Sequence, residues 1–319
     1  SQANGTPRDT PGDAMDLLSL IVPIKTDVMK VSPWGMFGFM GTKSLMGNIK
    51  GGDPATWAPR AGLYPILGSG YTFETFPFRR NTETHENAWW LGITAETNSF
   101  SPLTVAGDFA YGSVKMGEIP GYEGFADGPG TFKLDRAGWY AAVRADYALD
   151  WATPGIIAWY GSGDDGNPYN GSERLPTINP DVKVTSYGFD GTNFCRAQQV
   201  LGTSVDGTFG IVGHLKDISF FEDLSHTLRV AFYRGTNNTE NVRQKMITKP
   251  SETVSSMYYM TTADKAWEVN VDSEYKIYKN LSLFLELGYI RMDLDSNVWK
   301  DYESKKNNFK GAVCVLYSF

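Results

Sequence analysis

The chain ends in Phe309–Phe319, which reads FKGAVCVLYSF, and this stretch decides the fold. Side chains in a β-strand point alternately to opposite faces. Every second residue from Phe319 back to Gly311 therefore shares one face, which is apolar and aromatic apart from the glycine. The other face, from Ser318 back to Lys310, is mixed. The length matches the roughly 9–11 residues that a tilted strand needs to cross a bilayer, so the stretch predicts a membrane-spanning strand.

The last three residues add a more specific signal. Phe319 is a terminal aromatic residue, and Tyr317 stands two positions before it on the same face. Together with the alternation, this ending resembles the terminal strand of bacterial outer-membrane β-barrels. The resemblance implies that Tyr317 and Phe319 form the membrane-insertion signal that the assembly machinery reads.

The composition fits a strand-built membrane protein and excludes other classes. Hydrophobic residues make up 41% of the 319 residues, and no run of 18 apolar residues occurs, so a transmembrane helix is not predicted. A β-barrel shows such modest hydropathy because only alternate residues face lipid. The net charge of −7 argues against nucleic-acid binding. The two cysteines, Cys195 and Cys314, form no metal or disulfide pattern, and both are predicted to be free.

Alternation of this kind recurs along the whole chain, and no amphipathic helix is predicted. The clearest example is the run of every second residue from Leu281 to Tyr289, which is all leucine before the final tyrosine. Eleven strands are predicted in all: Met15–Lys25, Val31–Gly41, Ala88–Asn98, Leu103–Lys115, Ala137–Leu149, Gly155–Gly163, Gly207–Lys216, Ser225–Gly235, Ala266–Tyr278, Leu281–Met292 and Phe309–Phe319.

The predicted connections alternate strictly between short and long. Short ones such as Phe100–Pro102 and Lys279–Asn280 are followed by long ones such as Met116–Arg136 and Asp293–Asn308. Long loops would argue against the strand assignment in a compact soluble domain. Outer-membrane barrels combine short periplasmic turns with long extracellular loops. The sequence therefore predicts an all-β fold, a transmembrane antiparallel β-barrel, and a soluble β-sandwich is the alternative.

The odd number of strands bears on domain organisation. With a periplasmic C-terminus, counting back places Ser1 on the outside, whereas bacterial barrels have an even strand number. We therefore expect residues 1–319 to form one β-barrel domain that is the C-terminal part of a longer chain. A full barrel would then have about 16 strands, a common porin size. The alternative is a closed barrel of about 12 strands.

The face opposite the apolar one is rich in charge of both signs. In a barrel of this size such residues line an aqueous lumen rather than a packed core, where unpaired charge is costly. The alternative for each residue is a solvated side chain with no selective role. A small excess of acids over bases predicts a weak cation preference. The predicted pore-lining residues are Glu96, Asp108, Arg144, Asp146, His214, Lys216, Arg229, Glu268, Asp272, Glu274 and Glu286.

The opening segment, Ser1–Ala14, is rich in glycine, proline and aspartate. In a barrel of about 16 strands it precedes the sixth strand. In general trimeric porins the loop at that place folds into the lumen. Arg8 and Asp9 are therefore candidates for a constriction loop, and a plain surface loop is the alternative.

Catalytic and metal-binding patterns are weak. The three histidines, His85, His214 and His226, have no catalytic partners at a recognisable spacing. Residues 164–167 offer carboxylate and carbonyl oxygens for Ca²⁺ but match no Ca²⁺-loop template, and a solvated turn is the favoured interpretation. No cofactor, no metal ion and no enzymatic activity are predicted.

Three stretches resemble the outer-membrane porin family, and within it the homotrimeric porins of sulfate-reducing bacteria. They are Asp16–Leu20 with the following residues 22–27, Val31–Gly41 with Pro33-Trp34-Gly35-Met36, and Val315–Phe319. The resemblance implies a homotrimer in the outer membrane of a Gram-negative bacterium, in contact with lipid and lipopolysaccharide. It also implies a water-filled channel for passive diffusion of ions and small hydrophilic solutes. The alternatives are a barrel that acts as a surface receptor or adhesin through its long loops, and a barrel enzyme.

Overall fold

Long β-strands make up most of the residues whose structure is described. The computed structural model describes residues 15–40, 86–115, 118–120, 131–133, 135–167, 170–178, 182–189, 200–201, 204–240, 260–299 and 305–318. The strands are β1 (Met15–Ile21), β2 (Ile24–Lys25), β3 (Met29–Met40), β4 (Glu86–Phe100), β5 (Leu103–Val114), β6 (Glu118–Pro120), β7 (Thr131–Lys133), β8 (Arg136–Tyr147), β9 (Thr153–Gly161), β10 (Thr208–Phe221), β11 (Leu224–Gly235), β12 (Lys265–Tyr278), β13 (Leu281–Asp293) and β14 (Lys305–Tyr317). One short helix, α1 (Ser296–Trp299), precedes β14.

Eleven of these strands form one antiparallel meander. The order is β1-β3-β4-β5-β8-β9-β10-β11-β12-β13-β14, with β2 paired only to β3, while β6 and β7 form a separate hairpin. Within the described residues β1 and β14 lie at opposite edges and do not pair, so the sheet is open. None of the described helices is long and apolar enough to span a membrane.

The eleven predicted strands correspond in order to the eleven strands of the meander, whereas β2, β6 and β7 were not predicted as separate strands. Further differences lie at the strand ends. The first predicted strand is interrupted at Val22–Pro23, where proline lacks the N–H that a ladder needs. The strand predicted to end at Lys216 continues to Phe221 through two register shifts, and Asp217 takes a positive φ of 56° there. A β-bulge inserts an extra residue and breaks the strict alternation on which the sequence prediction relied.

The exposure of side chains on the two faces of the sheet is the reverse of that in a soluble protein. One face, here the apolar face, exposes large hydrophobic side chains in successive strands, such as Leu91, Val143 and Val230. The other, here the polar face, carries charged and polar side chains that are partly or fully buried, such as Asp146 and His214. Soluble proteins seldom expose apolar patches larger than a few hundred Å². An apolar surface of this extent is typical of strands that face lipid.

Aromatic side chains also lie near the short turns that connect the strands. Phe220 and Phe221 are 72% and 73% exposed, and the ring of Trp151 stacks on Phe220 with centroids 6.2 Å apart. Phe100 and Tyr278 are likewise exposed beside their turns. Amphipathic aromatic rings at one level of a sheet resemble the girdles that barrels place at the membrane interface.

Three tryptophans on the polar face each lie over a glycine of the neighbouring strand. Trp34 is the direct partner of Gly92, Trp90 of Gly112, and Trp159 of Gly210. A Cβ at any of these three glycines would collide with the indole ring beside it. The missing side chain therefore lets each ring lie along the sheet instead of projecting from it.

We expect Gly210→Val to destabilise the protein by about 1–3 kcal/mol, the usual cost of overpacking a tight site. The ring of Trp159 is 3% exposed and has no free space into which it can move. The measurement is urea-dependent unfolding in detergent, followed by tryptophan fluorescence. Gly213→Val, in the same strand but on the apolar face, is the control and should change stability little, because a Cβ there would make only an ordinary contact with the Val230 carbonyl oxygen at 4.0 Å. Equal losses in both variants would contradict this packing role for Gly210.

Candidate functional site

The half of the polar face nearest the short turns carries a belt of charged residues. Strand register places Asp146, Gly155, His214 and Arg229 side by side on four consecutive strands. Asp272 follows on β12, two residues beyond Asn270, the partner of Arg229. The period-2 alternation of each strand brings these side chains to one face, so their proximity follows from register.

Most of the belt is internally paired. The Arg144 guanidinium contacts Glu96 at 3.1 Å and Asp146 at 3.0 Å. Asp146 Oδ1 also lies 2.6 Å from His214 Nε2 and 3.8 Å from Lys216 Nζ. Arg229 pairs with Asp272 on the adjacent strand. This network of alternating charges leaves little net field on this part of the wall.

The other half of the polar face is covered by the connection between β9 and β10. Its described residues 170–178, 182–189, 200–201 and 204–206, here the inner segment, pack against the sheet. They share an apolar core with side chains of β9 to β13 and of the helix α1. That core comprises Trp159, Tyr187, Phe189, Leu201, Val205, Val212, Ala231, Tyr233, Met260, Ala266, Ile290, Met292, Leu294, Val298 and Trp299.

Arg136, at the start of β8, forms the first polar anchor of the inner segment. Its side chain is 1% exposed and donates to the carbonyl oxygens of Arg174 and Leu175. It also pairs with the Asp206 carboxylate at 3.0 Å. One guanidinium thus joins two distant parts of the segment to the wall, which suits its fixed fork of donors.

Glu268, on β12, forms the second anchor. Its carboxylate is 1% exposed and accepts the Gly188 backbone N–H at 3.0 Å and the Tyr233 hydroxyl at 2.7 Å. The Thr185 hydroxyl lies 3.3 Å away. A buried carboxylate is tolerated only when donors surround it, so Glu268 and this part of the segment stabilise each other.

Lys310, on β14, forms the third anchor. Its ammonium group donates to the Ser186 carbonyl and pairs with Glu286 at 2.6 Å, with both residues buried. Glu286 and Lys310 are each the sixth residue of a 13-residue strand. The inner segment therefore reaches about the middle of the sheet, counted along the strands.

The predicted site residues divide into two groups. Glu96, Arg144, Asp146, His214, Lys216, Arg229 and Asp272 meet in the charged belt, and Asp108 and Glu274 lie half-buried on the same face. Glu268 and Glu286 lie on that face too but are buried beneath the inner segment. Tyr317 is half-exposed in β14. Arg8, Asp9, His85 and Phe319 lie outside the described residues.

The inner segment was not predicted from the sequence, and the prediction that Cys314 is free was wrong. The constriction loop was predicted in Ser1–Ala14, which lies outside the described residues. Residues 170–206 show no periodic signal, and only the chain length between β9 and β10 marks them. Cys314 is disulfide-bonded and not free. Cys195 is the other cysteine of the chain and lies outside the described residues. Two cysteines 119 positions apart give no local signal of such a bond.

An acidic cluster lies where β9 leads into the inner segment. Carboxylate oxygens of Asp164, Asp165 and Glu173 lie within 4.8 Å of one another. Burial and the two nearby aspartates raise the pKa of Glu173 above its ordinary value. The Asp165 N–H donates to Glu173 at 3.0 Å, and the Asn167 N–H donates to Asp165 at 2.7 Å. These bonds are those of an ordered turn, and the cluster alone does not define a metal site.

Comparisons with known proteins identify no family for this chain. No protein-family profile matches it, and no curated protein does. Among solved structures it resembles an anion-selective porin from Comamonas acidovorans, with 10% identity and a TM-score of 0.41, over 95% of this chain. This chain spans 59% of the length of that porin.

Two further outer-membrane structures show similar values. KdgM porin in complex with disordered oligogalacturonate has 9% identity and a TM-score of 0.30, with 97% of this chain and 95% of that one covered. A loop-deleted OmpT, an outer membrane protein of Vibrio cholerae, has 12% identity and a TM-score of 0.34, with 95% and 90% covered. With TM-scores below 0.5, these similarities assign neither a family nor a function to the chain.

Proposed function

We propose that this protein is an outer-membrane porin, a channel for passive diffusion of ions and small hydrophilic solutes in a Gram-negative bacterium. The observation that supports this most is the reversed distribution of side chains over the eleven-strand meander. The apolar face would contact lipid, and the charged belt would line water. An ordinary β-sandwich buries its apolar face against a second sheet, whereas here that face is exposed.

The inner segment supports a curved sheet with the polar face inside. Pro176 accepts a bond from Trp90 on β4, and Ser186 accepts one from Lys310 on β14. These strands are eight steps apart in the sheet, or about 38 Å if the sheet were flat. Pro176 and Ser186 are ten positions apart, so they are separated by at most about 33–36 Å before the reach of the Trp90 and Lys310 side chains is added. Residues 184–189 fold back on themselves, which shortens this span. A sheet that wraps around the segment satisfies both contacts.

The proposed channel is therefore narrowed from the long-loop side by the inner segment, and its open passage runs past the charged belt. Among the described residues the outer edges of β1 and β14 are unpaired. In a bilayer these edges need partners, because unpaired backbone groups are costly in lipid. Further strands would close the barrel.

The protein is proposed to act without catalysis: no described contact places a Ser, Thr or Cys side chain against the His214–Asp146 pair. The homotrimer stays a prediction.

Reconstituted protein should conduct ions across planar bilayers, with only slight selectivity. We expect a weaker cation preference than the sequence alone predicted, because Glu268 and Glu286 are buried and do not face the open passage. Five acids then remain against six bases on the described part of this face: Glu96, Asp108, Asp146, Asp272 and Glu274 against Lys25, Lys30, Arg144, Lys216, Arg229 and Lys276.

The measurement is the reversal potential across a KCl gradient. We expect a value near zero that shifts toward cation preference in the double variant R144Q/R229Q. The shift should shrink as salt rises, since the Debye length is about 8 Å at physiological ionic strength and about 3 Å at 1 M. K183Q, in the inner segment and outside the belt, serves as the single-charge control. Absence of any conductance would reject the porin proposal and favour a receptor or adhesin.

A further inference from the structure

A niche opens in the polar face where β4, β5 and β8 lie side by side. It has a volume of about 300 Å³, which is at the lower end of the range for small-molecule sites. Two rows of cross-strand neighbours run past it, and all of their residues except Ser32 and Trp159 line it. The first row is Lys30, Glu96, Ala106, Arg144 and Ile157, and the second is Ser32, Thr94, Asp108, Ala142 and Trp159.

Small side chains at the centre of this grid create the space. Arg144 on β8 reaches over Ala106 on β5 to contact Glu96 on β4 at 3.1 Å. This bridge closes the niche toward the short turns. Ala142 lies directly opposite Asp108, and its small side chain leaves space on that side of the Asp108 carboxylate. The large neighbour of this carboxylate is Tyr140, two residues along β8.

Two charges of the niche have no ion-pair partner within 4.0 Å among the described residues. They are the carboxylate of Asp108, whose contact is with the Phe109 backbone N–H, and the ammonium group of Lys30. Strand spacing separates their Cα atoms by about 12 Å, two strands across and two residues along. An acidic pole and a basic pole thus stand at opposite ends of the niche.

The niche is neutral overall, because Lys30 and Arg144 balance Glu96 and Asp108. A simple cation or anion would gain contact with one pole and be repelled by the other. A solute that carries both charges gains both contacts, and charge-assisted hydrogen bonds are the strongest polar contacts available in water. The geometry therefore selects for a dipolar solute with separated charges.

We propose that this niche binds small zwitterions that carry an ammonium group and a carboxylate, of about the size of a dipeptide. The ammonium group lies at Asp108 and the carboxylate lies at Lys30. This inference rests on the proposed channel function and adds a solute class to it. Binding concentrates such solutes inside the channel and favours their diffusion over that of neutral solutes of equal size.

Binding is tested on the whole protein in a non-ionic detergent, since zwitterionic detergents would compete. The probes are glycylglycine as the zwitterion, glycylglycinamide as the cation, N-acetylglycylglycine as the anion and N-acetylglycinamide as the neutral compound. Saturation-transfer NMR gives the dissociation constant of each. Liposome swelling gives the permeation rate of each probe independently of binding.

Glycylglycine should bind more tightly than the other three probes. Asp108→Asn should weaken its binding by about tenfold or more, because a charge-assisted hydrogen bond is lost. Lys30→Gln should weaken it too. Asp223→Asn is the matched control, since it makes the same chemical change in a turn outside the niche, at a positive φ of 62° that asparagine adopts readily. That variant should bind glycylglycine as the unaltered protein does.

The outcomes separate the two proposals. Equal binding of the four probes, or unchanged glycylglycine binding in both Asp108→Asn and Lys30→Gln, overturns the zwitterion site. If N-acetylglycinamide still causes swelling in that case, the porin proposal stands without it. If no probe causes swelling, the porin proposal itself fails. Retained swelling by N-acetylglycinamide in Asp108→Asn shows that the variant is folded and inserted.

Discussion

Glu268→Ala is expected to release the inner segment and to give a larger and noisier single-channel conductance. The alanine would leave the Gly188 N–H and the Tyr233 hydroxyl buried without the acceptor that they share. Each unsatisfied buried donor costs about 1–3 kcal/mol. The segment can avoid that cost only by moving toward water, which would widen the passage. Conductance in planar bilayers, recorded at several voltages, is the measurement.

Two variants define the cause of this effect. Glu268→Gln keeps the volume and one acceptor oxygen, so its conductance should stay close to that of the unaltered protein. Glu274→Ala removes a carboxylate from the same strand and face, but this one contacts Ser282 rather than the inner segment. Its conductance should change little. An unchanged conductance in Glu268→Ala would mean that the segment does not limit the passage.

Arg136→Met is expected to lower stability by about 3–5 kcal/mol, the usual cost of removing one partner of a buried ion pair. Asp206 is 4% exposed. In the variant its carboxylate would lose the guanidinium and would have the neutral Thr177 hydroxyl as a donor. The carbonyls of Arg174 and Leu175 would lose the same guanidinium. Urea-dependent unfolding in detergent measures the loss.

A double-mutant cycle tests the mechanism. Adding Asp206→Asn to Arg136→Met removes the stranded charge, so the double variant should be more stable than the sum of the two single losses predicts. Arg234→Met is the control on the surface. This arginine also donates to a backbone carbonyl, that of Thr262, but it is exposed, so its loss should cost about 1 kcal/mol or less. Equal losses for Arg136 and Arg234 would contradict the buried-anchor interpretation.

The strands of the meander, their order and the division of their faces could be predicted from the amino-acid sequence. Period-2 alternation is a local property, because neighbouring side chains in a strand must point to opposite sides. Leu285 and Glu286 are assigned to opposite faces from their positions alone, and the structure agrees. Strand ends were less accurate where a bulge or a proline broke the alternation, as at Asp217 and Pro23. The alternating loop lengths indicated which ends of the strands would carry the long connections.

The segment that covers the polar face could not be predicted in this way, because long-range contacts place it there. The contacts of Arg136 with Asp206, of Glu268 with Gly188 and of Lys310 with Ser186 join residues 70, 80 and 124 positions apart. A loop without periodicity carries no local signal of the wall that it will meet. For the same reason the sequence placed Glu268 and Asp146 in one class of charged residues. Burial beneath the inner segment made the first an anchor and left the second in the open belt, because solvent exposure depends on distant chain segments.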